Sequence, residues 1–354
     1  MSIFAYIGEK PIYSNHAGNK ARLDIDRILE DNYGSCLLNI DQVTYRNILE
    51  KLQWILNINN IALMLKLASL QQKNLVIQYP YYFNPIIKYL LNKLSKDNRE
   101  ILIVHDVDSL RSLSKQTLGE DIADMNKAEV VILHNSKMIA VLKEKGLSVP
   151  AVNLELFDYL LQGNLPKQDY QLGKTLAFAG NLGKSDFLKD NRLNDLQVKF
   201  NLYGPNFDEN EICWNNIEYK GSFKPNEIPY KIEGSFGLIW DGEVVDTCSG
   251  AFGHYMKYNN PHKLSLYIAA GLPVVVWEEA AIADFVNKYD IGITVKSLLD
   301  VEDKINLVTE AQYENFKKNL LVLQKNVAHG YYTKRALSEC EKIFSKKSLK
   351  NVKK

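Results

Sequence analysis

The sequence predicts an α/β protein with two doubly wound domains that face each other across a cleft. Short runs of β-branched residues alternate with amphipathic helical stretches throughout the chain, a pattern typical of parallel sheets covered by helices. The chain has 354 residues, more than one hydrophobic core usually supports. A polar passage with proline and glycine, residues 162–174, interrupts the alternation near the middle of the chain and predicts a linker.

The first half of the chain contains short apolar runs that predict strands, and helical stretches separate them. One predicted helix is supported by its ends, because Asn135 and Ser136 can cap its start and Gly146 can end it. The predicted strands are residues 3–7, 35–39, 75–78, 101–104 and 130–133, and the predicted helices are residues 20–31, 54–70, 85–94 and 135–145.

The second half repeats the alternation. We expect an N-terminal domain over residues 1–161, a C-terminal domain over residues 162–330, and a C-terminal helix with a basic tail over residues 331–354 that packs back on the first domain. Ligands of doubly wound sheets bind at the carboxyl ends of the strands, so the cleft should lie there. The predicted strands are residues 176–179, 200–203, 237–240, 274–277 and 292–295, and long helices follow from about residue 311.

Composition excludes several classes of protein. Lys and Arg number 43 against 42 Asp and Glu, so the net charge of +1 gives no overall field for gathering nucleic acid. The four cysteines lie far apart without a CxxC pair, which argues against a zinc ribbon or a disulfide scaffold. The sequence has no apolar run of membrane-spanning length and no signal-peptide pattern, so a cytoplasmic location is expected.

Two surface features leave alternatives open. The tail at residues 345–354 is rich in lysine, which suits either peripheral contact with an anionic membrane or a solvated chain end. The apolar helical stretch at residues 54–70 either packs in the core or buries against a second copy of the chain in a homo-oligomer.

The most informative stretch is residues 259–277, NNPHKLSLYIAAGLPVVVW. Asn260 is suited to cap a helix that ends at Gly271, and His262 and Lys263 then lie in its first turn. A cation in the first turn faces the positive end of the helix dipole, which is unfavourable unless an anion lies nearby. A helix start with a lysine can bind a diphosphate. The other interpretation is a solvated lysine whose stem reaches away from the helix end.

Further candidates follow other predicted strands. In FAGNLGKS, residues 178–185, two glycines would let backbone amides approach a phosphate, and Lys184 would add positive charge. An ordinary loop with a surface lysine is the alternative. Tyr203 and Phe223 are aromatic residues that either face a ring of a ligand in the cleft or pack in the core.

Two loops rich in small residues supply the remaining binding candidates. Residues 241–255 either contact a ligand in the cleft or form a flexible connection. Residues 13–20 either approach a ligand in the cleft or cap the first helix, and the absence of GxGxxG from the sequence disfavours a dinucleotide-dependent dehydrogenase. The candidates are Asp246, Thr247, Ser249 and Gly250 in the later loop and Ser14, Asn15, Gly18 and Asn19 in the earlier one.

The sequence HDVD, residues 105–108, ends a strongly apolar strand and brings carboxylates to the expected cleft. Asp106 could act as a base that deprotonates a hydroxyl group. Asp106 and Asp108 could instead hold magnesium against a diphosphate as a DxD motif, or Asp106 could cap the following helix. The metal site is disfavoured because Lys184 and Lys263 can neutralise phosphate charge without a metal.

These motifs resemble those of GT-B glycosyltransferases. PHKLSLYIAAGLPVVV is similar to the block P-x-K-x-x-x-Y-x-A-x-G-x-P-V-I of that fold, in which the lysine, here Lys263, holds the donor diphosphate. Over nearly its whole length the chain resembles the bacterial group that contains β-1,6-galactofuranosyltransferases and the glucosyltransferases of streptococcal serine-rich adhesins. The matching segments are HDVDSLR, AEVVILHNSKMIAVLKEKG, LELFDYL, FAGNLGKS and FGLIWDGEVVDTCSGAFGHYMKYNNPHK, the last closer to the galactofuranosyltransferase branch.

The resemblance implies two Rossmann-like domains and transfer of galactofuranose or glucose from a UDP-sugar to a glycan or glycoprotein acceptor, with no cofactor besides the donor. It implies that Lys184 and Lys263 stabilise the leaving diphosphate without a metal, and that residues 13–20 approach the donor sugar from the first domain. One fold serves many activities, so two alternatives stay open. They are a nucleotide-sugar epimerase and a non-catalytic partner that binds nucleotide or glycan for another transferase.

Overall fold

Two parallel sheets of six strands form the framework of the protein. The computed structural model describes residues 4–10, 17–34, 36–41, 48–71, 73–80, 85–111, 116–167 and 169–352. The first sheet has the order β2-β1-β3-β4-β5-β6, with β1 (Ala5–Lys10), β2 (Cys36–Asp41), β3 (Asn74–Tyr79), β4 (Arg99–Val104), β5 (Val130–Leu133) and β6 (Ala151–Asn153). The second has the order β12-β11-β10-β7-β8-β9, with β7 (Thr175–Ala179), β8 (Lys199–Tyr203), β9 (Ile217–Gly221), β10 (Phe236–Ile239), β11 (Val274–Trp277) and β12 (Gly292–Val295).

Helices alternate with these strands along the described chain. Strands β4, β10 and β11 are buried along almost their whole length, as expected for parallel strands with helices on both faces. The helices are α1 (Ala17–Asn32), α2 (Ile48–Leu56), α3 (Ile58–Ala68), α4 (Pro85–Asp97), α5 (Leu118–Met125), α6 (Ser136–Glu144), α7 (Gly250–Tyr255), α8 (His262–Ala270), α9 (Ala283–Tyr289), α10 (Val301–Asn306), α11 (Glu310–Ala328) and α12 (Tyr331–Val352).

The strand order of each sheet fixes where a ligand can bind. β1 lies between β2 and β3, and β7 lies between β8 and β10, so each sheet has a point where the order reverses. Ligands of doubly wound sheets bind outside the carboxyl ends of the strands at such points. In the second sheet Gly180 follows β7 and Asp241 lies two residues after β10. In the first sheet Pro80 follows β3 and His105 follows β4.

The last helix returns to the first domain, which confirms the expected packing. The guanidinium of Arg335 in α12 donates hydrogen bonds to the backbone oxygens of Asn153, at 3.0 Å, and Leu154, at 2.8 Å. The hydroxyl of Tyr33 donates to the backbone oxygen of Lys334 at 3.3 Å. Gly330 makes the turn before α12 with a φ of 74°, a left-handed conformation that favours glycine.

The connection between the two sheets is itself part of the core. The chain leaves β6 and enters β7 through residues 154–174. Leu156, Phe157 and Tyr159 of this segment are all buried and belong to a continuous apolar cluster that includes residues of both sheets. The two domains therefore share packed side chains as well as a chain crossing.

Some elements differ from the sequence prediction. The single helix predicted over residues 54–70 is wrong, because α2 ends at Leu56 and the side chain of Asn57 caps α3 by accepting the N–H of Asn59 at 2.9 Å. Strands β6 and β9 were not predicted, since β6 has three residues and β9 is only half-buried. Among the described residues, every helix is too short or too polar to span a bilayer.

Candidate active site

A cleft of about 580 Å³ lies where the carboxyl edges of the two sheets face each other. The linker residues Phe157 and Tyr159 form part of its wall. The residues used below are Asn19, Arg22, His105, Asp106, Arg111 and His134 from the first domain, and Gly180, Tyr203, Phe223, Asp241, Asn259, Asn260, His262 and Lys263 from the second.

The ammonium of Lys263 lies at the reversal point of the second sheet. Its Nζ is 2.6 Å from Oδ1 of Asp241 and 4.9 Å from the ring centroid of Phe178. Gly180 leaves room for the lysine stem, since a Cβ atom there would be 3.2 Å from Cε of Lys263. The second domain therefore presents one largely buried cation, balanced by one carboxylate, at the place where doubly wound sheets bind phosphates.

Asn260 does not cap the helix that carries Lys263, so that sequence prediction is wrong. Helix α8 begins at His262, and Pro261 is its N-terminal boundary residue without a side-chain capping bond. The amide of Asn260 instead ties the two domains together. Its Nδ2 donates to the backbone oxygens of His134 and Glu155, both at 2.8 Å, and its Oδ1 accepts from Nδ2 of Asn135 at 2.7 Å. The predicted end of the helix is confirmed, because Gly271 is left-handed with a φ of 77°.

Three histidines surround Phe157 on the wall of the cleft, of which His134 is buried and His105 and His262 are half-buried. The ring centroids of His105, His134 and His262 lie 5.3, 4.9 and 6.3 Å from that of Phe157. Burial lowers the pKa of His134 and of His262 to about 4, and it lowers the pKa of His105 well below its usual value. His134 accepts the backbone N–H of Asn260 on Nδ1 at 2.9 Å, so its proton lies on Nε2. These imidazoles are neutral at neutral pH and add no charge to the cleft.

Asp106 lies in the cleft with a carboxyl group suited to proton transfer. Burial raises its pKa to about 6, although its partner Arg111, with Nη2 2.9 Å from Oδ1, opposes that rise. Asp108 lies 3.6 Å from the same guanidinium. The helix-cap alternative for Asp106 is wrong, because α5 begins at Leu118 and is capped by Thr117. Among the described residues, no cluster of three or more His, Cys, Asp or Glu side chains could hold a metal ion.

The two aromatic candidates differ in exposure. The ring of Tyr203 is buried, and its hydroxyl accepts the backbone N–H of Glu233 at 2.8 Å, so it is mainly a packing residue. Phe223 is half-buried on the cleft wall, with its ring centroid 6.3 Å from that of Tyr203. Gly204 follows Tyr203 and must be glycine, since a Cβ atom would lie 1.8 Å from the backbone oxygen of Gly180. This close approach brings the loops after β7 and β8 together below Phe223.

Lys184 lies on the α7 side of the cleft. Its exposed ammonium is 5.6 Å from the ring centroid of Phe252 in α7. The guanidinium of Arg111 is 6.0 Å from the same ring and 4.8 Å from that of Tyr255. Both cations therefore lie beside the ring of Phe252, but Lys184, unlike Arg111, is not part of the cleft wall.

The candidates of the loop at residues 241–255 lie beside the cleft. Asp246 is exposed and forms a bidentate ion pair with Arg192, at 3.0 and 2.7 Å. The loop is held by Val245, whose backbone oxygen accepts the N–H of Leu298 at 2.8 Å and the hydroxyl of Ser297 at 3.0 Å. The other three candidates line a second, neighbouring cavity, and they are Thr247, Ser249 and Gly250.

Of the four candidates in the N-terminal loop, some can be placed in the structure and others lie outside the described residues. Asn19 lines the cleft and Gly18 lies in the first turn of α1, whereas Ser14 and Asn15 lie outside the described residues. Sequence reasoning missed Arg22, which lines the cleft one turn further along α1 and donates from Nη2 to the backbone oxygen of Pro80 at 2.8 Å. Only its helical spacing from Asn19 could have indicated it. Other cleft residues that were missed include Arg111, His134, Asp241 and Asn259.

Two doubly wound domains, a cleft at their facing carboxyl edges, a helix-start lysine and a returning C-terminal helix are the features expected of the class of GT-B glycosyltransferases. The comparisons with known proteins agree. Residues 10–156 match the family described as "Glucosyltransferase 3-like, N-terminal domain", and residues 176–340 match "Glucosyltransferase 3-like, C-terminal domain". The chain belongs to the glucosyltransferase 3-like family, and it is a glycosyltransferase.

Two curated relatives extend this comparison. The chain is 30% identical over 337 residues to the β-1,6-galactofuranosyltransferase WbbI of Escherichia coli (strain K12), covering 91% of this chain and 94% of that protein. It is 27% identical over 260 residues to glucosyltransferase 3 of Streptococcus parasanguinis, covering 71% of this chain and 72% of that protein.

Solved structures with low identity share the fold. HepE from Anabaena, solved in complex with UDP and glucose, matches with a TM-score of 0.59 at 11% identity over 97% of this chain and 100% of that chain. Sucrose-phosphate synthase from Thermosynechococcus elongatus matches with a TM-score of 0.60 at 12% identity over 98% and 99%. These matches confirm the predicted GT-B fold.

Proposed function

We propose that this protein transfers a hexose, galactofuranose or glucose, from a UDP-sugar to a glycan acceptor in polysaccharide or glycoprotein assembly. The names of the relatives, a galactofuranosyltransferase and a glucosyltransferase, support the choice of sugars. The position of Lys263 carries the proposal, because its ammonium lies at the start of α8 and beside Gly180, where the strand order reverses. A cation there can bind the diphosphate of the donor and stabilise the charge that develops when UDP leaves.

Asp106 is the proposed base. In the transfer the acceptor oxygen bonds to the anomeric carbon, the bond from that carbon to the diphosphate breaks, and the acceptor hydroxyl loses its proton. A carboxyl group with a pKa of about 6 is largely ionised at neutral pH and still basic enough to accept that proton. Arg111, 2.9 Å from Asp106, holds the carboxylate in place. Asp106 lies on the first domain, so we propose that the acceptor enters from that side.

In this mechanism, side chains of the protein neutralise the negative charge of the donor phosphates. Lys263 neutralises the diphosphate inside the cleft, and we propose that Lys184 adds positive charge from its position beside Phe252. The half-buried Phe223 offers a ring on which the uracil can stack. We propose that no metal and no cofactor besides the donor is needed. The expected cytoplasmic location, membrane contact and homo-oligomer stay predictions.

The replacement Lys263→Ala tests the proposal. We expect UDP-glucose or UDP-galactofuranose turnover to fall by about 10²–10³-fold while the fold is retained, since one electrostatic contact in the transition state is lost. Lys304→Ala, an exposed lysine of α10, is the matched control and should be silent. UDP binding is measured by calorimetry, with EDTA and with magnesium, and turnover as UDP release. Unchanged turnover in the Lys263 variant would remove this residue from the mechanism.

The same assay separates the alternatives. A nucleotide-sugar epimerase converts UDP-glucose or UDP-galactose without any acceptor, so the appearance of a new UDP-sugar would favour it. A non-catalytic partner binds UDP without turnover against any acceptor glycan. Failure of UDP to bind at all would overturn the proposed donor.

A further inference from the structure

A second cavity, of about 480 Å³, lies beside the cleft with helix α7 between the two. Residues of one side of α7, Phe252 and Tyr255, lie against Arg111 of the cleft, whereas Ala251 and His254 line the second cavity. The first domain contributes Leu110 to this cavity, directly before Arg111 in the chain. Leu110 therefore connects this cavity along the chain to Arg111, which holds the candidate base.

The lining of the second cavity favours a ligand without charge. Among the described lining residues, Lys257 carries the fixed charge, and its Nζ lies 2.7 Å from Oε2 of Glu279. The other polar side chains are the hydroxyls of Thr247 and Ser249, the imidazole of His254 and the thiol of Cys248. A phosphate or carboxylate ligand is normally bound by cations that lack another partner. Neutral hydroxyl groups suit a site with this balance of donors and acceptors.

Ser249 has hydrogen-bonding capacity that the protein does not use. It is the boundary residue before α7, yet its side chain makes no capping bond, and among the described residues its buried Oγ has no hydrogen-bond partner. Because that Oγ has almost no exposed surface, the hydroxyl of Thr247 and the imidazole of His254, which both belong to exposed residues, are the polar groups that a ligand in this cavity can reach. Leu110, Ala251 and Trp277 provide apolar surface in the same cavity. Hydroxyl partners next to apolar surface match the hydroxyl and C–H faces of a sugar ring.

We propose that the second cavity is the acceptor subsite, where a neutral sugar of the acceptor glycan binds between Leu110 and α7. The inference rests on the proposed transferase function and assigns Thr247 and His254 to the acceptor. The cavity has the volume of a small-molecule site, and the main cleft remains for the donor nucleotide. An acceptor seated there extends its reactive hydroxyl past Leu110 toward Asp106.

Saturation-transfer NMR tests this assignment. The probes are methyl β-D-glucopyranoside, methyl β-D-galactopyranoside and lactose, each added to the full chain with saturating UDP. We expect at least one probe to bind, and we expect His254→Ala and Thr247→Ala to weaken its binding about fivefold by removing one hydrogen bond each. Both side chains are exposed, so these variants should fold. Ala251→Trp should abolish binding by filling the cavity, and His329→Ala, another exposed histidine, is the matched control.

The outcomes are distinct for the two proposals. Affinity for UDP should stay within about twofold in all the variants, because the nucleotide binds in the other cavity. Absence of binding by every probe, or binding that is unchanged in His254→Ala and Thr247→Ala, overturns the acceptor subsite while UDP binding keeps the transferase proposal intact. Absence of UDP binding by the unmodified protein overturns the transferase proposal itself.

Discussion

Replacement of Asn260 by alanine should loosen the junction between the two domains. The side chain makes three hydrogen bonds, two from Nδ2 to the backbone oxygens of His134 and Glu155 and one from Nδ2 of Asn135 to Oδ1. At about 0.5–1.5 kcal/mol for each bond, the loss is about 2–4 kcal/mol, and two carbonyl groups lose a buried donor. The backbone N–H of Asn260 still donates to Nδ1 of His134, so the junction weakens without disappearing.

Urea denaturation, read separately by tryptophan fluorescence and by UDP-sugar turnover, measures this effect. Asn216→Ala is the matched control, because the side chain of Asn216 also makes three hydrogen bonds. Its Nδ2 donates to the carbonyls of Leu193, Leu196 and Val198, all within the second domain. Both variants should be destabilised, whereas turnover at low urea should fall only for Asn260→Ala, which changes the placement of Lys263 against Asp106. Equal turnover in the two variants, or a loss of stability below about 0.5 kcal/mol for Asn260→Ala, would refute the role of Asn260 as a tie.

Three further predictions concern single side chains. Because burial raises the pKa of Asp106 from 3.8 to about 6, turnover should rise with pH and reach a plateau above about pH 6. Asp106→Asn should lower the rate by about 10²–10⁴-fold and remove this rise of turnover with pH. If the variant keeps the same rise, Asp106 is excluded as the base. Phe223→Ala should weaken UDP binding by about 1–3 kcal/mol in calorimetry if the uracil stacks on this ring, and equal affinity would place the base elsewhere. Asp246→Ala should leave UDP affinity within about twofold, since Asp246 pairs with Arg192 outside the cleft; a large loss would instead support a donor contact.

The sign of the Asp106 effect on stability is opposite to its effect on rate. A raised carboxyl pKa means that the folded protein binds this proton more tightly than the unfolded chain does. The contribution of Asp106 to stability is therefore greatest below pH 4 and is lost as the pH rises through about 6. The ionised form of Asp106 therefore lowers the stability of the folded protein in the pH range where catalysis requires that form.

Local patterns were sufficient to predict most of the sheets and the helix that carries Lys263. Strands such as β10 and β11 are continuous apolar runs because both of their faces are buried. Gly271 ends α8 because it adopts the left-handed conformation that favours glycine. Asn260 shows where such reasoning fails. An asparagine before a helix suits both a cap and a tertiary hydrogen bond, and only the position of His134 on the other domain decides between them.

For the loop at residues 241–255, the sequence could not show where its residues lie, for a different reason. Its small and polar residues were correctly identified as unusual, but its path depends on contacts with Ser297 and Leu298, far away in the sequence. Those contacts separate Asp246 from Ser249 and place them on different surfaces. Composition indicates that a loop is built for function, whereas tertiary contacts determine which cavity it lines.

The ion pairs of the cleft indicate how a phosphate can replace a carboxylate as the partner of a cation. Lys263 pairs with Asp241 on the second domain, and Arg111 pairs with Asp106 on the first, so each cation is held in place by a carboxylate. A diphosphate that reaches Lys263 competes with Asp241 for the same ammonium. The cation is therefore oriented before the donor arrives, and little reorganisation is needed during the reaction. If this exchange operates, Asp241→Asn should strengthen UDP binding in calorimetry through the loss of a competing anion, and weaker binding would instead make Asp241 a positioning residue for Lys263.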